Sequence, residues 1–280
     1  DDLNLLKRAF EDEALKPYKS KTVSVQSFAD SLNSFGTWLD NVTDYPEWVG
    51  CPLLVHRRCI SPMYDISNEI SYNGIMKQQT REPDAEKERS FVYEKSQWIN
   101  VTGKEKGNKN HFVEAQAQKV CEILEQAFCK SENPNLYIIS PFTSVVDGMK
   151  AYIKDYKKNT AGTSLNKCDM EWMGRNIGTV HTFQGKEANE VIFLLGCDTS
   201  PEARVAIRWV NNKIVNVAAT RAKFRLYVIG DEKAWQESAC VKKAKTILDT
   251  FAIRKIKEIL EEQLPEEEQA KALISASASL

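Results

Sequence analysis

Three short segments of the chain contain side chains that could bind an anion. The first is His56-Arg57-Arg58, which follows the apolar run at 52–55 and leads into a turn at Pro62. Burying two arginines without partners costs free energy, so at the end of a predicted buried strand they either pair with carboxylates or wait for an anion. Since neighbouring strand residues face opposite ways, one arginine can face a ligand while the other does not.

The second segment joins two predicted strands through a tight turn. Its polar residues are Thr179, His181, Thr182, Gln184, Gly185 and Glu187. Hydroxyls and the main-chain N–H groups of such a turn are good partners for phosphate oxygens. A Gln-Gly pair taken alone is more often a plain turn, so this segment does not establish a site by itself.

The third segment is a predicted small-residue helix at 216–219, followed by Thr220, Arg221 and Lys223 just before another strand. Its alanines allow a close approach to a neighbouring element. An arginine in this setting is more often half of a surface ion pair than a catalytic group. The chemical interpretation therefore depends on the three segments occurring together.

The elements that would position these segments alternate between strand and helix. Short β-branched runs predict buried strands at 136–139, 177–180, 191–195 and 226–229, and helical spacing predicts helices at 113–128, with Asn110 as N-cap, and at 145–156. This alternation predicts an α/β fold with a mostly parallel sheet flanked by helices. In such sheets ligands sit at the carboxyl ends of the strands.

The remaining parts of the chain predict loops and one long helix. The charged stretch at 77–90 and the polar stretch at 103–110 predict exposed loops. An apolar stripe at 241–264 predicts a C-terminal amphipathic helix that ends at Pro265, followed by a frayed end at 275–280.

Composition excludes several classes of protein. The 280 residues have 38 Lys+Arg, 39 Asp+Glu and a net charge of −1, which gives no global sign of a nucleic-acid binder. Residues 256–280 carry a net charge of −4, so the rest of the chain carries +3. No apolar run approaches the roughly 20 residues of a membrane helix, and the acidic start argues against a signal peptide.

The cysteines and histidines predict neither a metal site nor a disulfide scaffold. Seven cysteines lie far apart without a Cys-x-x-Cys pair, and the chain has three histidines. Most of the cysteines are expected to be buried in a reduced, cytoplasmic protein with no metal and no membrane partner.

Motifs that bind triphosphates are missing from these residues. Neither Gly103-Lys104 nor Gly185-Lys186 is followed by Ser or Thr, so there is no Walker A loop. Asp198 follows an apolar strand as a Walker B residue would, but Thr199 follows it where an acid would stand. We therefore interpret Asp198 as a strand-end residue.

In this order the three segments resemble the later motifs of superfamily 1 helicases, in the branch typified by the nonsense-mediated-decay RNA helicase and its bacterial relatives. The matches are His56-Arg57-Arg58-Cys59 to the strand-end motif, 179–187 to motif V, 216–223 to motif VI, and Ile138-Ile139-Ser140-Pro141-Phe142 to the Ile-Thr-Pro-Tyr motif. Motifs V and VI in tandem are highly specific, whereas the Ser-Pro-Phe element is weak alone.

The resemblance implies the second of two RecA-like domains that bind ATP in the cleft between them. The first domain of such a motor carries Walker A and holds Mg²⁺, which fits the missing loop. The absence of an initiator Met leads us to expect a fragment. We expect a lead-in from the preceding motor domain at 1–50, the second RecA-like domain at 51–240, and a C-terminal helix with an acidic tail at 241–280.

The resemblance also implies roles for particular residues. The arginine fingers would be Arg58 and Arg221. The residues facing the nucleotide would be Gln184, Gly185 and Glu187, and Arg57 stands where the family has an aromatic residue that stacks on the adenine. The residues facing the nucleic-acid track would be Thr179, His181, Ser140 and Phe142. Arginine forks suit phosphate oxygens better than lysine does.

Two functions follow as hypotheses. In the first, the chain is the C-terminal half of an ATP-dependent helicase or translocase, inactive alone, whose partners are single-stranded DNA or RNA and the N-terminal RecA-like domain of the same protein. In the second, it is a catalytically dead module that binds single-stranded nucleic acid or a partner protein. The presence of both Arg58 and Arg221, which could bind phosphate, favours the first hypothesis.

Overall fold

The computed structural model describes residues 29–39, 47–50, 53–107, 110–160 and 162–262 of the chain. Two units are distinguished, residues 1–54 and residues 55–280. In the first unit, β1 (Gly36–Leu39) pairs antiparallel with β2 (Glu47–Gly50). Trp38 and Trp48 meet edge to face across this pair, with ring centroids 5.3 Å apart.

The second unit begins with a short parallel pair outside the main sheet. Strand β3 (Val55–His56) pairs with β4 (Lys77–Gln78), and α1 (Met63–Ser71) lies between them in the chain. The prediction of a buried strand at 52–55 was wrong for its described residues, because β3 has only two residues and Leu53 and Val55 are exposed. A two-residue strand that pairs only with β4 has no second sheet to bury its apolar side chains.

The 77–90 segment is more ordered than the predicted loop. Besides β4 it contains α2 (Ala85–Ser90), whose first turn is capped by Asp84 Oδ1 accepting from Lys87 N at 2.8 Å. No residue of α2 is buried, so the segment has no apolar periodicity that could have predicted a helix.

The main sheet has five parallel strands in the order β5-β9-β8-β6-β7. The strands are β5 (Gln97–Asn100), β6 (Leu136–Ser140), β7 (Ile177–Thr179), β8 (Ala188–Leu194) and β9 (Ala222–Gly230). Four of them confirm the predicted strands and the predicted parallel α/β fold. Their near-continuous apolar runs reflect a sheet that is covered on both faces.

Helices cover the sheet in two groups. The helices α3 (Glu114–Lys130), α4 (Thr143–Asn159) and α5 (Met170–Asn176) pack with the 3-10 turn Ser164–Lys167 and with β6 and β7. The helices α7 (Asn212–Ala219) and α9 (Ala239–Glu262) pack with α1 and with β5, β8 and β9. The two remaining helices of this half of the chain, α6 (Pro201–Trp209) before α7 and α8 (Glu232–Trp235) before α9, contact each other.

The helix predictions at 113–128 and 145–156 are confirmed by α3 and α4, but the predicted cap of α3 is wrong. Val113 occupies the cap position without a side-chain bond, while Asn110 Nδ2 donates to the Lys106 carbonyl at 2.9 Å. Val113 forms a β-bridge with Glu105, so the helix can begin only after that bridge.

The C-terminal helix is present as α9, and its predicted end at Pro265 and the tail at 275–280 lie outside the described residues. Within the described ranges, no helix is long and apolar enough to cross a membrane. The described cysteines are free thiols, and all of them except Cys129 are buried, as expected.

Candidate functional site

The carboxylate of Glu187, in the second predicted segment, joins that segment to the first and to the third. Glu187, directly before β8, accepts from Lys223 Nζ at 3.0 Å and lies 4.0 Å from Arg58 Nε. All three side chains are roughly half-exposed. Ile60 N donates to the Lys223 carbonyl at 3.0 Å, which fixes the segment after Arg58 to the start of β9. One carboxylate thus faces two cations at the protein surface.

Arg221 lies behind this cluster and is only 4% exposed. Its Nε donates to the Val217 carbonyl at 3.0 Å, and one Nη donates to the carbonyls of Lys186 at 2.9 Å and Phe183 at 3.3 Å. Burial, and then the positive charge of Arg58, lower the pKa of the Arg221 guanidinium. Its positive charge is therefore next to that of Arg58, but its donors are used on main-chain carbonyls.

The turn that carries Arg57 and Arg58 is closed by a His–Cys pair that the sequence did not single out. His56 Nε2 accepts from Cys59 N at 3.1 Å and lies 3.0 Å from Cys59 Sγ. Burial, followed by the charge of Arg58, lowers the pKa of His56, and burial raises the pKa of the Cys59 thiol to about 12. With a neutral imidazole and a protonated thiol, this pair has a structural role: it closes the turn between His56 and Cys59. Its only sequence signal is the three-residue spacing.

Arg57 and Gln184 do not join the Glu187 cluster. Arg57 is exposed and donates to Gln79 Oε1 at 3.1 Å, just after β4. Gln184 is exposed, and its main-chain N–H donates to the His181 carbonyl at 3.2 Å. Gly185 has φ +86°, a conformation that favours glycine, and an added Cβ would meet nothing within 4 Å. The glycine is therefore required by the turn itself and not by a crowded surrounding.

The predicted nucleic-acid residues differ in burial: His181 is exposed, Thr179 is partly buried, and Ser140 and Phe142 are buried. Thr179, at the carboxyl end of β7, shares a hydrogen bond of 3.0 Å with Thr182, and His181 is exposed. Ser140 is 1% exposed and Phe142 is 9% exposed, and Ser140 Oγ accepts from Phe142 N at 3.3 Å. The structure thus places Ser140 and Phe142 inside the fold, where they form the turn that begins α4.

The segment 180–187 connects the two ends of the sheet. Val180 N donates to the Ser140 carbonyl at the carboxyl end of β6, and the Phe183 ring lies 4.4 Å from the Tyr137 ring. At the other end Ala188 N donates to the Arg221 carbonyl, where β8 and β9 begin. Glu187 and Arg221 therefore lie at the amino ends of strands, whereas the sequence led us to expect ligands at the carboxyl ends.

A five-stranded parallel sheet flanked by helices is the architecture of a RecA-like α/β domain. A family model described as an AAA domain matches residues 45–233, more than half of the chain, and the chain belongs to this family. Within it, the chain is a superfamily 1 helicase domain of the nonsense-mediated-decay branch.

Two curated proteins are similar to this chain. "Regulator of nonsense transcripts 1" of Dictyostelium discoideum is 23% identical over 189 residues, which cover 65% of this chain and 13% of that protein. "ATP-dependent helicase upf1" of Schizosaccharomyces pombe is 30% identical over 131 residues, or 46% of this chain and 13% of that protein. The chain thus matches a small part of each relative's length.

Proposed function

We propose that the chain is the second motor domain of an ATP-dependent helicase or translocase. In this proposal Arg58 reaches nucleotide bound between this domain and a first RecA-like domain of the same protein, and Thr179 and His181 contact a single strand of DNA or RNA. The observation that carries the proposal is the cluster in which Glu187 is shared by Arg58 and Lys223, directly in front of the buried Arg221.

The charges of this cluster favour an incoming anion. Two exposed cationic side chains face one carboxylate, with the charge of Arg221 behind them, and an exposed ion pair contributes only about 0–1 kcal/mol. At 4.0 Å from Glu187, the Arg58 guanidinium can exchange this carboxylate for a phosphate oxygen at little cost. Arg58 would then donate to the terminal phosphate, and Arg221 would add positive charge from below without giving up its carbonyl partners.

The nucleotide would bring Mg²⁺, which neutralises charge on the phosphates, and ligands for this ion would come from the first motor domain. The residues of this chain bind and orient. Gln184 and Gly185 come shortly before Glu187 in the chain, and all three are exposed, so a nucleotide bound at Glu187 could contact them. Arg57 is exposed and could stack on the adenine after releasing Gln79.

Segment 180–187 supports a link between nucleotide and strand. Thr179 and His181 lie where this segment begins, at the carboxyl ends of the sheet strands. Glu187 lies where it ends, at the amino ends of the strands, and Phe183 packs on the sheet between them. A movement of Glu187 when Arg58 changes partner would therefore pull on the segment that bears His181. This coupling is what a translocase requires of its second domain.

The test is ATP turnover by the full-length gene product, with and without single-stranded nucleic acid. Arg58→Ala is expected to lower kcat by about 10³–10⁵-fold, the range for arginine fingers generally, and to leave strand binding unchanged. Arg175→Ala, which removes an exposed arginine paired with Glu171 at 3.5 Å, is the matched control and should leave turnover unchanged.

A second candidate is a RecA-like module without catalysis, which binds a single strand or a partner protein. It is favoured by the buried Arg221, whose bonds to three carbonyls give it a structural use. Absent ATP turnover by the full-length protein, or turnover that does not respond to Arg58→Ala, together with retained strand binding, would support this module and contradict the motor.

A further inference from the structure

Two loops meet beyond the carboxyl ends of β5 and β8, away from the Glu187 cluster. They bring together Glu105, His111 and Cys197, whose carboxylate, imidazole and thiol atoms all lie within 4.8 Å of one another. His111 Nδ1 is 3.2 Å from Glu105 Oε1. The Cys197 side chain is fully buried, and those of Glu105 and His111 are 5% and 17% exposed. Cys197 is more than 80 residues from Glu105 and His111 in the sequence, so no short spacing pattern predicts the group.

The main chain holds the three residues in place. His111 N donates to Glu105 Oε2 at 2.9 Å, Cys197 N donates to the His111 carbonyl at 2.8 Å, and Glu105 N donates to Asp198 Oδ2 at 3.1 Å. His111 and Cys197 have φ angles of +57° and +63°, which residues other than glycine rarely adopt. Each such conformation costs roughly 1 kcal/mol or more, and the surrounding bonds maintain both.

We propose that Glu105, His111 and Cys197 form a binding site for a single Zn²⁺ ion. Thiolate, imidazole and carboxylate are the ligands that zinc takes in proteins, and a thiolate disfavours the hard cations Mg²⁺ and Ca²⁺. Glu105 Oε1 and His111 Nδ1 lie 3.2 Å apart. Zinc would replace this contact, and the Cys197 thiol would release its proton to solvent on binding.

A cavity beside His111 could supply the fourth ligand. His111 lines a cavity of about 560 Å³ together with Pro201, Glu202, Val205 and Ala206. A water molecule from this cavity would complete a tetrahedron around three protein ligands. The ion would fasten the segment before α3 to the loop after β8, because Glu105 and His111 come from the first and Cys197 from the second.

The proposal is tested by titrating the 280-residue chain with Zn²⁺ against a chromophoric chelator, and with Co²⁺ as a spectroscopic probe. The expected result is one ion per chain and a thiolate-to-cobalt charge-transfer band. Cys197→Ser should abolish the band and weaken Zn²⁺ binding by at least about 100-fold, since losing a residue that merely orients a ligand already costs roughly 10–100-fold.

Cys129→Ser is the matched control, because Cys129 is an exposed thiol that bonds to Ser164 Oγ at 2.8 Å. This variant should keep the band, the stoichiometry and the affinity. A band that is lost in Cys129→Ser, or kept in Cys197→Ser, would overturn the proposal. So would a wild-type chain that binds Zn²⁺ no more tightly than Cys197→Ser does.

Glu105→Gln decides the question if Cys197→Ser fails to fold, as circular dichroism would reveal. Glutamine keeps an acceptor for His111 N but removes the carboxylate charge. Its Zn²⁺ affinity should fall by at least about tenfold, and Zn²⁺ should raise the melting temperature of this variant less than that of the wild type. Equal affinity in Glu105→Gln and the wild type would contradict the site.

Discussion

At the scale of single residues, Arg58 and Arg221 carry the same charge in opposite environments. Arg58 is half-exposed and meets only the Glu187 carboxylate at 4.0 Å among its described ion pairs. Arg221 is 4% exposed and donates to carbonyls from both α7 and the turn before β8. Arg58 is therefore free to change partner, whereas Arg221 holds two elements together and supplies its charge from a fixed position.

This difference predicts unequal effects on stability. Arg221→Ala leaves the carbonyls of Val217, Lys186 and Phe183 without this donor, and should lower the free energy of unfolding by about 2–4 kcal/mol. Arg58→Ala should change it by less than about 0.5 kcal/mol. Urea denaturation of the two variants measures both values, and equal losses would contradict the structural role of Arg221.

Motif order grouped Arg58, Glu187 and Arg221, but it also included Arg57 and Gln184, which do not join the Glu187 cluster, and it did not indicate which side chains are buried. Whether an arginine meets a carbonyl or solvent depends on long-range packing, here between α7 and the turn before β8. The same limit explains Ser140 and Phe142, which were predicted at the nucleic-acid track and lie inside the fold.

At the scale of elements, a buried acid connects β8, β9 and the segment after α2. Glu190 Oε1 of β8 accepts from Tyr227 Oη at 2.5 Å and from Val92 N at 2.8 Å. Arg225 of β9 pairs with Glu88 of α2, and its guanidinium lies 4.5 Å from the centre of the Phe91 ring. These contacts explain how the wholly polar helix α2 is held against the sheet.

Glu190 predicts a dependence of stability on pH. Burial raises the pKa of this carboxyl above its ordinary value of 4.5, so the folded state binds more protons than the unfolded state just above that value. The free energy of unfolding therefore falls as the pH rises from 4.5 through the raised pKa. Glu190→Gln keeps an acceptor for both donors and should remove this fall.

Urea denaturation over a series of pH values measures the slope of the free energy of unfolding against pH. The control is Glu171→Gln, which neutralises an exposed acid on α5 paired only loosely with Arg175 at 3.5 Å. This control should keep the wild-type slope. A slope that is the same in Glu190→Gln and in the wild type would show that another group is responsible.

The sequence predicted the long elements better than the short ones. Strands β6, β7, β8 and β9 are buried apolar runs, and α3 and α4 have clear helical periodicity, so local pattern and tertiary packing agree. The short strands β3 and β4 and the polar helix α2 have no such pattern. They exist because of contacts such as the pairing of His56 with Gln78, which no local window contains.

At the scale of the whole molecule, segment 180–187 joins the two ends of the sheet. Phe183 is fully buried at its middle, and its carbonyl accepts from Arg221. If the proposed function is correct, binding of nucleotide at one end and of a single strand at the other share this segment. Their affinities must then be coupled by the same factor in both directions.

Phe183→Leu should therefore weaken the coupling between nucleotide binding and single-strand binding, because the smaller side chain loosens the contact with Tyr137. A non-hydrolysable ATP analogue should tighten single-strand binding by the full-length protein by about 5–150-fold in the wild type and clearly less in the variant. The control is Phe128→Leu, which removes an equally buried ring that lies 5.1 Å from Trp172 and off the segment. Equal coupling in the two variants would mean that segment 180–187 does not transmit the effect.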